Sequence, residues 1–454
     1  MQKQELRAAV SLAAVFSVRM LGLFMIYPVF AVFARQLAGA TPYKIGLALG
    51  VYGLSQGLLQ MPFGLLSDRI GRKTMIVFGL VLFALGSAVA ASARSIDGMI
   101  WGRVLQGAGA VGSVILALVA DLTVEENRTK AMALVGMTIG FSFLVAIVTG
   151  PAVAGWVGIG GIFWLMAALA LVGIAITTFV VPQPRRLRVH REAETVPALL
   201  GSTLRNPELL RLDFGIFALH AMLTASFLVV PEVLHGTLGV SSREQWLVYL
   251  PILLIAVAIT VPAIIIAERH RRMKTVLVGA IGALAASQLM LATGGHDALV
   301  LIAAITLFFA GFNIMEASLP SLVTKTAPSG STGTATGIYS SSQFLGIFAG
   351  GVAGGWVNQA HGAVGVFILA CALAVLWLLV AGGMRRPSHL TTRVLRLDGS
   401  AADADRLSAR LCRVPGVAEA LVVPEEGLAY LKVDSKVFDR AKAESVAGAT
   451  LGPV

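Results

Sequence analysis

The feature that most restricts this chain is a succession of apolar runs, each close to the ~20 residues a helix needs to cross a bilayer. Twelve occur along the 454 residues, at 8–33, 44–66, 74–92, 98–121, 130–154, 161–182, 211–235, 246–267, 275–292, 298–320, 331–358 and 361–383. In lipid a single segment satisfies its backbone polar groups only as a helix, so each run predicts a spanning helix. Charged residues make up 13% of the chain, against roughly 25% in soluble domains. The first run is longer than a secretory leader and lacks a small-residue cleavage site, so it is expected to stay in place.

Basic residues alternate between the two sides of the predicted bundle. The N-terminus and the even-numbered connections carry 18 Lys and Arg, including Arg69, Arg72 and Lys73, whereas the odd-numbered connections carry four, Arg35, Lys44, Arg94 and Arg243. The positive-inside rule then puts both termini in the cytoplasm. The net charge of +11 is this bias and does not imply nucleic-acid binding. Two cysteines, Cys371 and Cys412, make no disulfide framework, and no Cys/His spacing suggests a metal.

A shift of 200 residues lays "SDRIGRK" (67–73) over "AERHRRM" (267–273), matching Asp68 to Glu268, Arg69 to Arg269 and Arg72 to Arg272. Both knots fall between the second and third helix of a six-helix half, which predicts a two-fold repeat. The expected organisation is a first bundle over 1–182, a central loop over 183–210, a second bundle over 211–384, a linker over 385–392 and a tail over 393–454. In the tail, 393–397 alternates like a strand, 402–413 reads as a helix, "GVAEALVV" and "LAYLKV" as strands and 436–447 as a helix, with a last strand to come from the final residues. That order predicts a small α+β ferredoxin-like domain. Its first loop reads "DGSAAD" and lacks the Cys pair of metal-carrying domains of this shape.

"GLLSDRIGRK" after the second helix of a twelve-helix layout resembles the signature of the major facilitator superfamily. "RVLQGAGA" (103–110) resembles its fourth-helix motif, and "TGPAVAG" (149–155), with Gly150, Pro151 and Gly155, the fifth-helix motif of its drug/proton antiporter branch. "SVRMLGLFMIYPV", "FNIMEASLPSL", "YSSSQFLG" and "LKVDSKVFDR" read like the YajR-type transporters, bacterial inner-membrane members with a C-terminal ferredoxin-like domain. The resemblance implies an all-α twelve-helix fold of two six-helix bundles, and proton-driven efflux. It also implies that Asp68 faces the start of the eleventh helix, that Arg72 bridges to Asp121, and that Gly64, Asp68, Arg69, Gly71 and Arg72 form a conformational latch with Asp121. Gly64 and Gly71 would keep the turn tight.

An ionisable group inside a membrane helix costs about 2.5–3.5 kcal/mol at the bilayer centre, so each needs a partner or a purpose. Arg19, Arg103, His220 and Glu316 fall on helices one, four, seven and ten, which the resemblance makes the cavity-lining helices. Glu316 is the preferred proton carrier, with Asn313 able to hydrogen-bond on the same face; the alternative is an acid solvated near a helix end. His220 is either titratable or a hydrogen-bonded structural residue. Arg19 and Arg103 are fixed positive charges, Arg19 for an acidic ligand or for Glu316 and Arg103 for proton movement; otherwise they fix packing through helix carbonyls. Tyr52, Gln56 and Gln60 make one polar stripe that lines the cavity or packs the halves together. Phe24, Tyr27, Phe308, Phe309 and Phe312 are either a ligand wall or plain packing.

The function expected is a proton-coupled secondary transporter exporting amphipathic drug-like or small organic compounds by alternating access. The alternatives are uptake of a polar or anionic metabolite and a transporter-like sensor with the tail as output. No nucleophile elbow, phosphate loop or cofactor fingerprint suggests an enzyme, and no cofactor is expected. The expected partners are a small-molecule substrate, protons and the lipid bilayer, with the tail docking on the chain's own cytoplasmic face near the central loop and Glu425 and Glu426 meeting Arg185, Arg186 and Arg188.

Overall fold

The computed structural model describes residues 3–123, 125–183, 196–384, 390–397, 404–424, 427–434, 436–447 and 449–451. Its helices are α1 (Lys3–Met25), α2 (Tyr27–Ala34), α3 (Pro42–Ile70), α4 (Arg72–Ser92), α5 (Ile96–Ala108), α6 (Gly112–Leu122) and α7 (Glu125–Ala175). After a short α8 (Leu200–Thr203) come α9 (Pro207–Phe227), α10 (Val230–Leu238), α11 (Trp246–Arg269), α12 (Met273–Gly294), α13 (Ala298–Thr326) and α14 (Thr332–Gly382). Nine helical stretches among the described residues are long and apolar enough to span a membrane; α3, which carries Tyr52, Gln56 and Gln60, is not among them.

The twelve predicted spans are present, several of them in two pieces. α7 and α14 are each broken by one residue in the left-handed region, Gly158 (φ 67) and Gly362 (φ 65), so each contributes two spans. Only glycine takes that conformation without strain. Spans one, four and seven are the pairs α1 and α2, α5 and α6, and α9 and α10. Several starts follow from local chemistry: Thr41, Ser95, Asn206 and Asp297 cap α3, α5, α9 and α13, with Pro42 and Pro207 at first helical positions.

The halves meet along α3 and α14. A Cβ on Gly46 would fall 2.7 Å from Gly355 Cα, one on Gly50 2.9 Å from Phe348 O, and one on Gly57 3.2 Å from Ser341 O. Small residues at this spacing let two helices approach backbone to backbone, the usual way helices associate in lipid. Ser341 Oγ adds a hydrogen bond to Gly57 O at 3.0 Å.

The repeat is visible in how each half closes. Lys73, at the start of α4, donates to Thr178 O (3.2 Å) and Val181 O (2.9 Å) at the end of span six. Lys274, at the start of α12, donates to Gly382 O (2.9 Å) and Met384 O (2.6 Å) at the end of span twelve. Each lysine supplies donors to carbonyls that a helix end leaves unsatisfied.

The tail runs β1 (Leu390–Leu397), α15 (Ala404–Leu411), β2 (Val417–Val423), β3 (Leu428–Asp434), α16 (Arg440–Ala447) and β4 (Ala449–Leu451). Strand order is β2-β3-β1-β4, all pairs antiparallel, which is the ferredoxin-like arrangement with the last strand formed. Leu395, Leu411, Ala429, Leu431 and Val433 make its core.

Candidate functional site

Two buried polar groups face the interior of the bundle, one from each half. In the first half Arg19 of α1 is 1% exposed. It donates through Nη2 to Tyr52 Oη (2.9 Å) and to Gln56 Oε1, and Gln56 passes the chain to Gln60 at 3.1 Å. The polar stripe of α3 therefore serves as a seat for Arg19. Arg103 of α5 donates to the carbonyls of Ala48 (3.3 Å) and Leu49 (3.4 Å) and to Gln106 Oε1 (2.5 Å), and lies 4.6 Å over the Tyr52 ring. That is the helix-carbonyl arrangement weighed for it as a packing residue, reinforced by a cation–π contact.

In the second half His220 of α9 accepts from Gln343 Nε2 at 2.8 Å, which leaves Nδ1 to donate to Ile216 O at 3.3 Å. The network thus assigns the neutral ring with its proton on Nδ1. Glu316 of α13 brings Oε2 to 3.8 Å from His220 Nε2. Its side chain keeps 32% of its exposure, yet Oε2 is enclosed and accepts no hydrogen bond. Glu316 lies ten residues before the end of α13, so it is not at the helix end.

Two expected contacts are absent. Asn313 does not bond Glu316: its Nδ2 is enclosed without a partner, although a spacing of three residues on α13 places the two at neighbouring positions. Arg19 does not pair with Glu316; its bonds go to α3 within its own half. Sequence reasoning missed Gln106 and Gln343, which the rule applied to Glu316 would have found, since an amide in an apolar helix also needs partners. It also missed Asp213, 7% exposed and two turns before His220 on α9. With the span expected from 211, Asp213 looked like an end residue, but α9 starts at Pro207. Tyr339 of α14, its hydroxyl enclosed without a partner, lies in electrostatic range of both Glu316 and Asp213.

At the tail-side end of the bundle Arg72, 2% exposed, pairs with Asp68 four residues earlier and, through Nε at 3.1 Å, with the fully buried Asp121. Its Nη1 also donates to Ser67 Oγ at 2.7 Å. Asp68, Arg72 and Gln60 line a cavity of about 50 Å³ whose opposite wall is Gly333, Thr336 and Gly337, the first turns of α14. Gly71 makes the turn with φ 104. Gly64 has a different job from the one expected: it is inside α3, where a Cβ would lie 3.3 Å from Ser113 Oγ, so it admits α6 and does not shape the turn. Arg69 stands in the last turn of α3, exposed. Gly150, before Pro151 in α7, abuts Met25 O at the end of α1, and Gly155 abuts the Arg243 side chain.

At the far end the halves are joined by charge. Arg35, next to α2, donates from Nη1 to Glu232 Oε1 of α10 at 2.6 Å and from Nη2 to Oε2. Tyr27 and Thr224 share a hydrogen bond at 3.2 Å deeper in the same seam.

The tail touches the second half. Lys432, 2% exposed, donates to Thr324 O (2.6 Å) and Lys325 O (3.3 Å) in the last turn of α13. Asp434 pairs with Arg271 at 3.1 Å, and Glu419 Oε1 accepts from Ser329 N at 3.2 Å. The Lys436 backbone N–H and then Arg271 hold the Asp434 carboxyl below the usual carboxylate range. Residues 184–195 and 425–426 lie outside the described residues, so the pairing expected between Glu425, Glu426 and Arg185, Arg186, Arg188 does too.

Two six-helix halves, polar groups at their centre and a charged knot at one end define a membrane transporter, and the chain belongs to the Major Facilitator Superfamily, which residues 12–351 and 214–404 match. It is a YajR-type member. Residues 393–448 match the YajR YAM domain, and the inner membrane transport protein YajR of Escherichia coli (strain K12) is 44% identical over 97% of each chain. The multidrug resistance protein 2 of Bacillus subtilis (strain 168) is 32% identical over 37% of this chain and 42% of its own length. Among solved structures, the nucleoside transporter NupG superposes with a TM-score of 0.64 at 15% identity, covering 84% of this chain and all of that one. The family is one of transporters, so the chain is not an enzyme.

Proposed function

We propose that the chain is a proton-coupled exporter of amphipathic organic compounds in the bacterial inner membrane, working by alternating access, with Glu316 as its proton carrier. One observation carries this: an acid in the middle of α13 whose Oε2 is enclosed without a hydrogen-bond donor, while the rest of the side chain remains open. An isolated carboxylate in such a place is costly, and a proton relieves the cost, so the two conformations of the transporter can differ in whether they hold one. Asp213 is a second acid on the same side, and His220, held neutral by Gln343 and Ile216, orients the pocket. The likeness to a multidrug resistance protein and to an inner-membrane relative supports the export sense and the location. In liposomes, Glu316→Gln should abolish flux driven by a pH gradient while sparing substrate exchange at equal pH. Full gradient-driven flux in that variant would refute the assignment.

The two ends supply the gates. Asp68, Arg72 and Asp121 form a latch on the tail side, set against α14, and Arg35 with Glu232 closes the far side. The tail is a brace on the second half, and its bonds to α13 support a modulating role on the helix that carries Glu316.

A further inference from the structure

Among the described residues three arginines are fully buried, and two of them are compensated. Arg72 has Asp68 and Asp121; Arg103 has two carbonyls, Gln106 and the Tyr52 ring. Arg19 differs. Its partners are neutral, no acid among the described residues pairs with it, and its Nε and Nη1 have no acceptor at all. A guanidinium cannot shed its proton to escape this, so these open donors are a standing demand for a negative group. There is room beside it: a Cβ built on Gly112 would lie 3.7 Å from Arg19 Nη1 and from Phe16, and 3.8 Å from Gln60 Oε1, so the glycine leaves a methyl-sized gap beside Nη1.

Beyond Arg19 the halves meet through rings. Phe143 of α7 stacks on Phe312 of α13 with centroids 5.4 Å apart and meets Phe309 at 6.3 Å, while Phe24 of α1 presents an edge to Phe143 at 4.9 Å. Phe143 and Phe24 belong to one half, Phe309 and Phe312 to the other. When the halves rock apart, these stacked faces separate and leave aromatic walls on both sides, which a planar guest can occupy with offset stacking worth about 0.5–1.5 kcal/mol per pair.

We infer that the substrate is an aryl anion, a planar aromatic body bearing a carboxylate or similar group, with Arg19 as its counter-ion through a charge-assisted hydrogen bond from Nη1. This rests on the transport reading above and narrows its substrate class. Water filling the gap beside Arg19 is the competing occupant, and it makes no distinction between charged and neutral guests.

The test is a thermal-stability titration of the full-length protein in detergent with 2-naphthoate, its neutral analogue 2-naphthamide, the cation 2-naphthylmethylammonium, and sodium sulfate and chloride. The expected result is binding of naphthoate at least about tenfold tighter than naphthamide, no stabilisation by the ammonium, and none by the inorganic salts at equal ionic strength. Arg19→Gln should reduce naphthoate to the affinity of naphthamide, and Arg19→Lys should keep part of the preference. Equal binding of acid and amide, a preference for the cation, or stabilisation fully reproduced by sulfate or chloride would overturn the inference, and the first comparison needs no variant. Loss of proton-driven flux in liposomes would refute the coupling and leave this preference standing.

Discussion

Lys432 of the tail sets its ammonium 2.6 Å from the carbonyl oxygen of Thr324, so a side chain from outside the membrane bundle terminates the helix that carries Glu316. A buried lysine on a strand is costly unless its donors are used, and here two carbonyls use them. Lys432→Met keeps the length and removes the donors. The expected outcome is release of the tail, read as roughly tenfold faster amide exchange in the last turn of α13, in keeping with a charged hydrogen bond worth about 1.5–3 kcal/mol.

The Arg271–Asp434 pair gives the same contact a pH dependence. Because the Asp434 carboxyl is held below its ordinary value, its contribution is present above that ordinary value and is lost as pH falls through the depressed one. Tail docking should thus be insensitive to pH around neutrality and weaken only below about pH 4. Asp434→Asn should remove that acid transition in tail mobility measured by fluorescence anisotropy. The pair is partly exposed, so 1 M salt should weaken it as well.

Asp68 bonds to Arg72 and also faces the first turns of α14, whereas Asp121 buttresses Arg72 from α6. Asp68→Asn should lower flux several-fold with the protein still inserted and correctly oriented. Asp121→Asn should act more on stability, since it leaves a buried guanidinium short of its acid, with about 3–5 kcal/mol at stake. Flux and melting temperature measured on both variants separate the roles, and unchanged flux in Asp68→Asn would reduce the knot to a topology signal.

Arg35 and Glu232 join the halves at the far end, and both are about half-exposed, so neutralising either should change stability by less than about 1 kcal/mol. A covalent bond there is a different matter. With Cys371 and Cys412 replaced, the Arg35→Cys/Glu232→Cys pair bridged by a short bis-methanethiosulfonate cross-linker should stop transport, and reductant should restore it. Transport that continues through the cross-link would mean that this end does not open.

Gly46→Ala should destabilise by about 1–3 kcal/mol, because the added methyl would fall onto Gly351 and Gly355 of the facing helix. Gly136→Ala is the control: nothing lies within 4 Å of its Cβ, so the change should be neutral or raise the melting temperature slightly.

Much of this was legible in the sequence because lipid admits few solutions. An apolar run of the right length must be a helix, and the alternation of "RVLRL" marked out β1. The breaks were harder to read. Gly158 and Gly362 sit among other glycines, and composition does not say which one takes a positive φ. The polar residues were legible as important but not as partners: whether Arg19 meets Glu316 or Tyr52 depends on helix rotation, which an apolar helix with no strong hydrophobic face leaves undetermined. Lys432 was invisible for the opposite reason, since a lysine on a small domain's strand looks solvent-facing until α13 is set against it.

The α3–α14 seam has one more consequence. Helices that interlock through long side chains must change rotamers to move past each other, and each change is a small barrier. Where α-carbons meet carbonyl oxygens, as among Gly46, Gly50, Gly351 and Gly355, there are no rotamers to unlock, so one helix can roll on the other there without repacking. On the alternating-access reading, the glycines that hold the two halves closest together also make the axle on which they turn.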